Sequence, residues 1–120
     1  MQERRENIIV KKSEEFADRI IKMCKYLSKQ KSGDKDMIHQ IYRSGTSVGA
    51  NVAESQYAQS RADFLTKMTI ALKEENETRY WLGRLYSGSN LTEKEYESIN
   101  SDCEEIIKLL TSITGTVKGV

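Results

Sequence analysis

The side chains best suited to chemistry in this 120-residue chain are charged residues inside two stretches that are predicted to be helical. Arg43 lies in the first stretch, and Glu74 and Glu77 lie in the second. Paired carboxylates can act as general acid and base or hold two metal ions, and they can equally pair with an arginine. We interpret them as a structural polar pair in which Arg43 reaches Glu77 or Glu74. Trp81 would cover this contact, and the alternative is a ligand-binding or catalytic carboxylate site.

The sequence lacks the partner residues that a catalytic or metal site would need. Di-metal sites in helical bundles use Glu-x-x-His motifs, and the single histidine, His39, has no glutamate three residues before it. The hydroxyl residues of segment 43–55 have no histidine partner for a catalytic triad. Segment 45–49 is glycine-containing but lacks the spacing of a phosphate-binding loop. We therefore expect no enzymatic activity, no metal and no cofactor.

A basic row on the first predicted helix is the most plausible ligand-binding surface. Its members follow alternating helical spacing, with Glu15 interrupting them; they are Lys12, Arg19, Lys22, Tyr26 and Lys29, called the predicted basic face. Cations with an aromatic residue on one helix face indicate contact with RNA or DNA. The alternative is an ordinary solvated charged face. In a symmetric oligomer every subunit would repeat the row, which would raise the local potential.

Four helices must position these residues. The chain has no proline, 31% charged residues and 8% aromatic residues, a profile that favours long helices over a sandwich or barrel. Four segments carry apolar residues at alternating steps of three and four, and links of about three to six residues make neighbouring helices antiparallel. We predict an all-α, antiparallel up-down-up-down four-helix bundle, a single domain over residues 1–120. Its ends, 1–7 and 116–120, are expected to be flexible.

The same pattern predicts the core and the helix boundaries. The expected core contains Phe16, Ile20, Met23, Ile41, Val48, Val52, Leu82, Ile99, Cys103, Ile106 and Leu110. Helix starts are predicted at Asp34 or Asp36, at Ser60 with Asp63, and at a capping box of Thr92 and Glu95. Gly33 and Gly88 are predicted to end the first and third helices. Gly45 and Gly49 predict the close approach of a neighbouring helix.

Charge and cysteine usage bound the functional class. The net charge is +1, but residues 1–31 carry nine Lys and Arg against five Asp and Glu, and residues 89–120 carry three against six. A local basic face is therefore compatible with a nearly neutral chain. Cys24 and Cys103 fall on apolar stripes and form no CxxC pair, which predicts buried, reduced thiols. No apolar run approaches the roughly 20 residues of a membrane span, so we expect a cytoplasmic protein without membrane contact.

Apolar residues also lie outside the four stripes, and we expect some of them to form a subunit interface. They are Ile21, Tyr42, Leu65, Leu72, Trp81 and Ile107. Some would widen the core of the bundle, as in ordinary bundle helices.

Three segments carry a family resemblance. RSGTSVGANVAE (43–54), FLTKMTIAL (64–72) and KEENETRYWL (73–82) resemble bacterial four-helix bundle proteins of the 23S rRNA-intervening-sequence family, over roughly residues 8–117. The sequence also looks related to the accessory variability determinant of diversity-generating retroelements, a pentameric barrel that associates with a reverse transcriptase and binds nucleic acid through a basic surface. The resemblance implies a homopentamer whose partners are RNA or DNA, a reverse transcriptase or another protein. We expect a non-enzymatic oligomeric binding module; the alternative is a protein–protein scaffold without nucleic-acid binding.

Overall fold

The chain folds into four antiparallel helices. In this computed structural model the backbone is described for residues 2–118 and the side chains for residues 8–116. The helices are α1 (Gln2–Ser28), α2 (Lys35–Ser55), α3 (Arg61–Ser87) and α4 (Glu93–Lys118). Each packs against its two neighbours in the ring and none packs across the diagonal. The all-α four-helix bundle is thus confirmed, while the predicted flexible ends fall largely outside the described side chains.

The described part of the molecule is an elongated rod of 47 × 22 × 19 Å. Helices of 27 residues, such as α1 and α3, span about 40 Å at 1.5 Å per residue and so run nearly its full length. The links 29–34, 56–60 and 88–92 are short, as predicted. Within residues 2–118, no helix combines the length and the apolar character that crossing a bilayer requires.

Side-chain caps start three of the helices where the sequence predicts them. Asp34 accepts from the Met37 amide at 2.9 Å, and Ser60 Oγ accepts from the Asp63 amide at 3.0 Å. The capping box is complete, since Thr92 and Glu95 exchange hydrogen bonds of 2.9 and 3.1 Å. These bonds satisfy amide groups that the first helical turn leaves without partners.

The helix ends differ from the prediction in detail. The prediction that Gly33 ends α1 is wrong, because α1 ends at Ser28. Bonds from the Lys29 and Gln30 amides to carbonyls three residues back tighten the chain there, before Gly33 is reached. Gly88 is the C-terminal cap of α3, as predicted. However, the residue with positive φ is its neighbour Ser89, at 63°.

The core follows the predicted stripes. Of the eleven expected core residues, Met23 alone is half-buried rather than buried, because it lies at the edge between α1 and α4. Both cysteines are buried, as expected. The core also encloses polar side chains, among them Ser44, Glu75 and Thr78. Thr78 Oγ1 donates to Ser44 Oγ at 2.8 Å, which joins α3 to α2 inside the bundle.

Two glycines let α1 and α2 approach closely. A Cβ atom on Gly45 would lie 2.9 Å from Ile20 Cγ1, and one on Gly49 would lie 3.3 Å from the backbone oxygen of Ser13. Both contacts are tighter than ordinary van der Waals distances, so a side chain at Gly45 would force a neighbour to move and one at Gly49 would need a smaller adjustment. By contrast, a Cβ on Gly83 in α3 would meet nothing within 4 Å. The prediction of a close helix approach at Gly45 and Gly49 is confirmed, and the neighbour is α1.

Alanine substitutions at the packed Gly45 and at the open Gly83 should change stability in opposite directions. Gly45→Ala should lower the free energy of unfolding by about 1–3 kcal/mol, because the methyl group overpacks against Ile20. Gly83→Ala should raise it by about 0.5–1 kcal/mol, because alanine is the better helix former and the site is open. Urea denaturation of the two variants beside the wild type measures both. Equal effects of the two substitutions would contradict the close approach.

Candidate nucleic-acid interface

The N-terminal half of the predicted basic face is paired with acidic residues of α4. Lys12 Nζ lies 2.8 Å from Glu105 Oε1, and Arg19 Nη1 lies 2.7 Å from Asp102 Oδ2. Arg19 Nη2 also donates to Ser98 Oγ at 2.7 Å. The Glu105 carboxylate, by its hydrogen bond and its charge, raises the pKa of Lys12. These two cations are therefore already engaged by carboxylates within the chain.

The C-terminal half of the predicted basic face is open. Lys22, Tyr26 and Lys29 are exposed, and among the described side chains Lys22 and Lys29 take part in no ion pair. Lys22 and Tyr26 line a shallow groove of about 320 Å³ between α1 and α4, which also contains Glu95. The structure thus divides the predicted face into a neutralised half and a half available to an anionic ligand.

A second groove, between α1 and α2, carries positive charge on both walls. We call it the basic groove; it measures about 480 Å³ and is lined by Cys24, Lys25, Ser28, Lys29, Lys35, Ile38, His39 and Tyr42. Its lining contains no carboxylate. Asp34 lies nearby but its side chain caps α2, and Asp36 is not part of the lining.

Helix geometry explains why these residues share one groove. Lys25 lies in the last turn of α1 and Lys29 directly follows the end of that helix, while Lys35, His39 and Tyr42 follow one another at helical spacing on α2. The short link 29–34 returns the chain so that the end of α1 lies beside the start of α2. Of the residues that line the basic groove, only Lys29 belongs to the basic face predicted from the sequence. Basic residues on both sides of a short interhelical link were the available indication of the others.

The Arg43 cluster joins α2 to α3 at the surface. Arg43 Nη1 lies 3.1 Å from Glu74 Oε2, and Nη2 contacts Glu77 Oε2. Trp81 Nε1 donates to the same Glu77 oxygen at 2.9 Å. The Arg43 side chain is 44% exposed and the two carboxylates are less so. The structure therefore brings Arg43, Glu74, Glu77 and Trp81 together in one cluster. That the cluster serves a structural purpose stays a prediction.

Glu75 is an unusual residue in the interior of the bundle. Its side chain is fully buried, and neither carboxyl oxygen has a hydrogen-bond partner. The neighbouring Cys103 Sγ donates to the Glu75 backbone oxygen at 3.6 Å. Burial raises the pKa of Glu75 from 4.5 to about 8. The raised pKa favours the neutral carboxyl group, which is the form that a desolvated carboxyl group prefers.

The described residues do not assemble a metal centre. Within them, no three His, Cys, Asp or Glu side chains come together as a cation site would require. His39, the single histidine, is exposed on the wall of the basic groove.

Comparison with known proteins places this geometry in a family context. The family model described as 23S rRNA-intervening sequence protein matches residues 5–112. A crystal structure of a protein of unknown function from the S23 ribosomal protein family of Bacteroides thetaiotaomicron is similar to the chain at 51% identity, with a TM-score of 0.88. The similarity covers 92% of this chain and 97% of that one. No curated protein matches the chain.

The exposure of Arg43 predicts a small contribution to stability. Arg43→Ala should lower the free energy of unfolding by less than about 1 kcal/mol, as is usual for ion pairs that water can screen. The effect should shrink further in 1 M NaCl because salt screens exposed charges. Chemical denaturation at low and high salt measures both. A loss of about 3–5 kcal/mol would instead show that the carboxylates are stranded in a buried environment.

The buried Glu75 carboxyl predicts a loss of stability as the pH rises. Above pH 4.5 the unfolded chain releases the Glu75 proton, while the folded chain keeps it up to about pH 8. The free energy of unfolding should therefore fall between these pH values, by up to about 5 kcal/mol at 1.36 kcal/mol per pKa unit. Glu75→Gln should remove this pH dependence, because the amide does not titrate.

The measurement is urea denaturation at several pH values from 5 to 9, with the difference between wild type and variant isolating Glu75. Glu97→Gln, at an exposed position of α4, is the matched control and should keep the wild-type profile. Parallel profiles for wild type and Glu75→Gln would show that Glu75 is not held neutral in the fold.

Proposed function

The chain belongs to the family of 23S rRNA-intervening sequence proteins, and from that premise we propose that it is a non-enzymatic oligomeric binding module for nucleic acid. The observation that carries this proposal is the open half of the predicted basic face. Lys22 and Lys29 are exposed and unpaired among the described side chains, and Tyr26 lies between them with 56% of its surface exposed. The two cations can contact phosphates, and the exposed aromatic ring beside them can stack on a base.

Assembly is the second part of the proposal. The resemblance to a pentameric barrel supports assembly as a homopentamer. We propose that this homopentamer acts in the cytoplasm. Of the six apolar residues outside the predicted stripes, Leu72, Trp81 and Ile107 pack against the core. Tyr42 is 46% exposed but lines the basic groove. Ile70 and Tyr80 are exposed large apolar side chains on α3, and these two remain available to a subunit interface. A reverse transcriptase is the protein partner that the resemblance suggests.

Nucleic-acid binding should depend on the predicted basic face and on salt. Wild-type protein should bind labelled RNA and DNA, and binding should weaken steeply between 50 and 200 mM salt because phosphate contacts release counterions. The triple variant Arg19→Glu, Lys22→Glu, Lys29→Glu should lose this binding. Fluorescence anisotropy measures both, and light scattering after size exclusion should report about five chains for wild type and variant alike.

The matched control changes three exposed lysines elsewhere, in the triple variant Lys73→Glu, Lys94→Glu, Lys108→Glu. It makes the same change in net charge and should bind within about threefold of wild type, since general attraction alone is screened at these salt concentrations. Equal losses in both variants would show that net charge, and not this face, governs binding. Absence of wild-type binding at 50 mM salt would overturn the nucleic-acid proposal.

A protein–protein scaffold is the second candidate function, and one surface favours it. Tyr80 and Trp81 on α3 contact edge to face, with ring centroids 5.0 Å apart. The Arg84 guanidinium lies 5.5 Å from the centre of the Tyr80 ring. Tyrosine, tryptophan and arginine are the residues most enriched at interaction hot spots. If wild-type protein assembles but binds no nucleic acid, this surface becomes the leading site.

A further inference from the structure

We propose that the basic groove between α1 and α2 holds a single-stranded segment of nucleic acid, with its lysines on the phosphates and Tyr42 stacked on an unpaired base. This inference rests on the proposed function, and it assigns binding to a site that the sequence pattern does not reveal. It also selects single strands over duplexes as the class of ligand.

The charge of the groove supports a phosphate ligand. Lys25 and Lys29 stand on the α1 wall, and Lys35 and His39 stand on the α2 wall. All four are exposed, and none of the three lysines takes part in an ion pair among the described side chains. Cations on two facing walls can contact successive phosphates of a backbone that runs along the groove.

The more N-terminal part of α1, where Lys12 and Arg19 face α4, provides the contrast. There the lining alternates in sign, with Lys12, Glu15 and Arg19 on α1 opposite Asp102 and Glu105 on α4. A phosphate approaching that side meets carboxylates that already occupy the cations. The basic groove has no such competition within its lining, so an anion gains more from entering it.

Tyr42 and the floor of the groove favour an unpaired base. Tyr42 borders the groove with 46% of its surface exposed, while the buried side chains of Ile38 and Cys24 form an apolar floor. The floor is held in place, since Cys24 Sγ donates to the Ile38 oxygen at 3.8 Å and Ser28 Oγ donates to the Cys24 oxygen at 2.7 Å. Stacking on an aromatic ring requires a base face that a duplex keeps inside its own stack.

The size of the groove agrees with this ligand. A volume of about 480 Å³ lies within the range of about 300–1,000 Å³ that small-ligand sites occupy. A groove of this volume can therefore accommodate one nucleotide unit between its walls.

The test compares two charge reversals of equal size, one in the basic groove and one at exposed positions away from it. Lys25→Glu with Lys35→Glu alters the basic groove, and Lys73→Glu with Lys94→Glu alters exposed positions on α3 and α4 as the control. The probes are a labelled single-stranded RNA of 20 nucleotides and the same strand annealed to its complement, measured by fluorescence anisotropy at 50 and 200 mM salt. The groove variant should bind the single strand at least about tenfold more weakly than wild type, with a shallower salt dependence. The control should stay within about threefold.

Tyr42 variants test the stacking. Tyr42→Ala should weaken single-strand binding by about tenfold and leave duplex binding unchanged, whereas Tyr42→Phe, which keeps the ring, should resemble wild type. Circular dichroism and light scattering on each variant confirm that fold and assembly are retained, and Lys25→Gln with Lys35→Gln replaces the charge reversal if it does not fold.

The outcomes separate the two proposals. Wild-type protein that binds neither probe overturns the proposed function and this inference together. Wild-type binding that the groove variant keeps at the level of the control overturns the basic groove alone, and leaves the predicted basic face as the site. Equal affinity for strand and duplex, with no effect of Tyr42→Ala, overturns the choice of single strands.

Discussion

The contact between α1 and α2 at two glycines is the constraint on which the surface of this protein depends. Gly49 lies against Ser13, and Gly45 lies against Ile20. The same antiparallel register continues to the Cys24 thiol and the Ile38 carbonyl. It brings the last turns of α1 level with the first turns of α2, so their basic side chains face one another across a groove.

Features that depend on a single helix were predictable from the sequence. The apolar stripe of α4 and the capping box of Thr92 and Glu95 involve residues close together in the chain, and helical periodicity is enough to place them. The end of α1 was predicted five residues too late, because tightening of the last turn depends on how the chain enters the link and not on the nearest glycine. Met23 falls on the predicted stripe yet stays half-buried, since its position is at an edge where two helices part.

Features that depend on pairs of helices were not predictable in the same way. Spacing along α1 placed Lys12 and Arg19 on one face correctly, but the carboxylates opposite them belong to α4 and meet them only in one register. The lack of any partner for the buried Glu75 carboxyl group likewise depends on what the neighbouring helices place around it, which spacing along α3 does not show. The chain is nearly neutral as a whole, but its charge is unevenly distributed. Acidic residues of α4 neutralise Lys12 and Arg19 on α1 and leave the C-terminal end of α1 positive.

The reactivity of the Cys24 thiol reports on local opening of the bundle. The thiol is 4% exposed under the basic groove, and burial raises its pKa to about 11, so it is almost inert toward alkylating reagents while α1 and α2 stay together. Cys103 is sealed between α3 and α4, where burial also raises its pKa. Alkylation of each thiol must await a local opening of its own edge of the bundle. The relative labelling rates of the two cysteines therefore rank the opening free energies of opposite sides of the molecule, without any engineered probe.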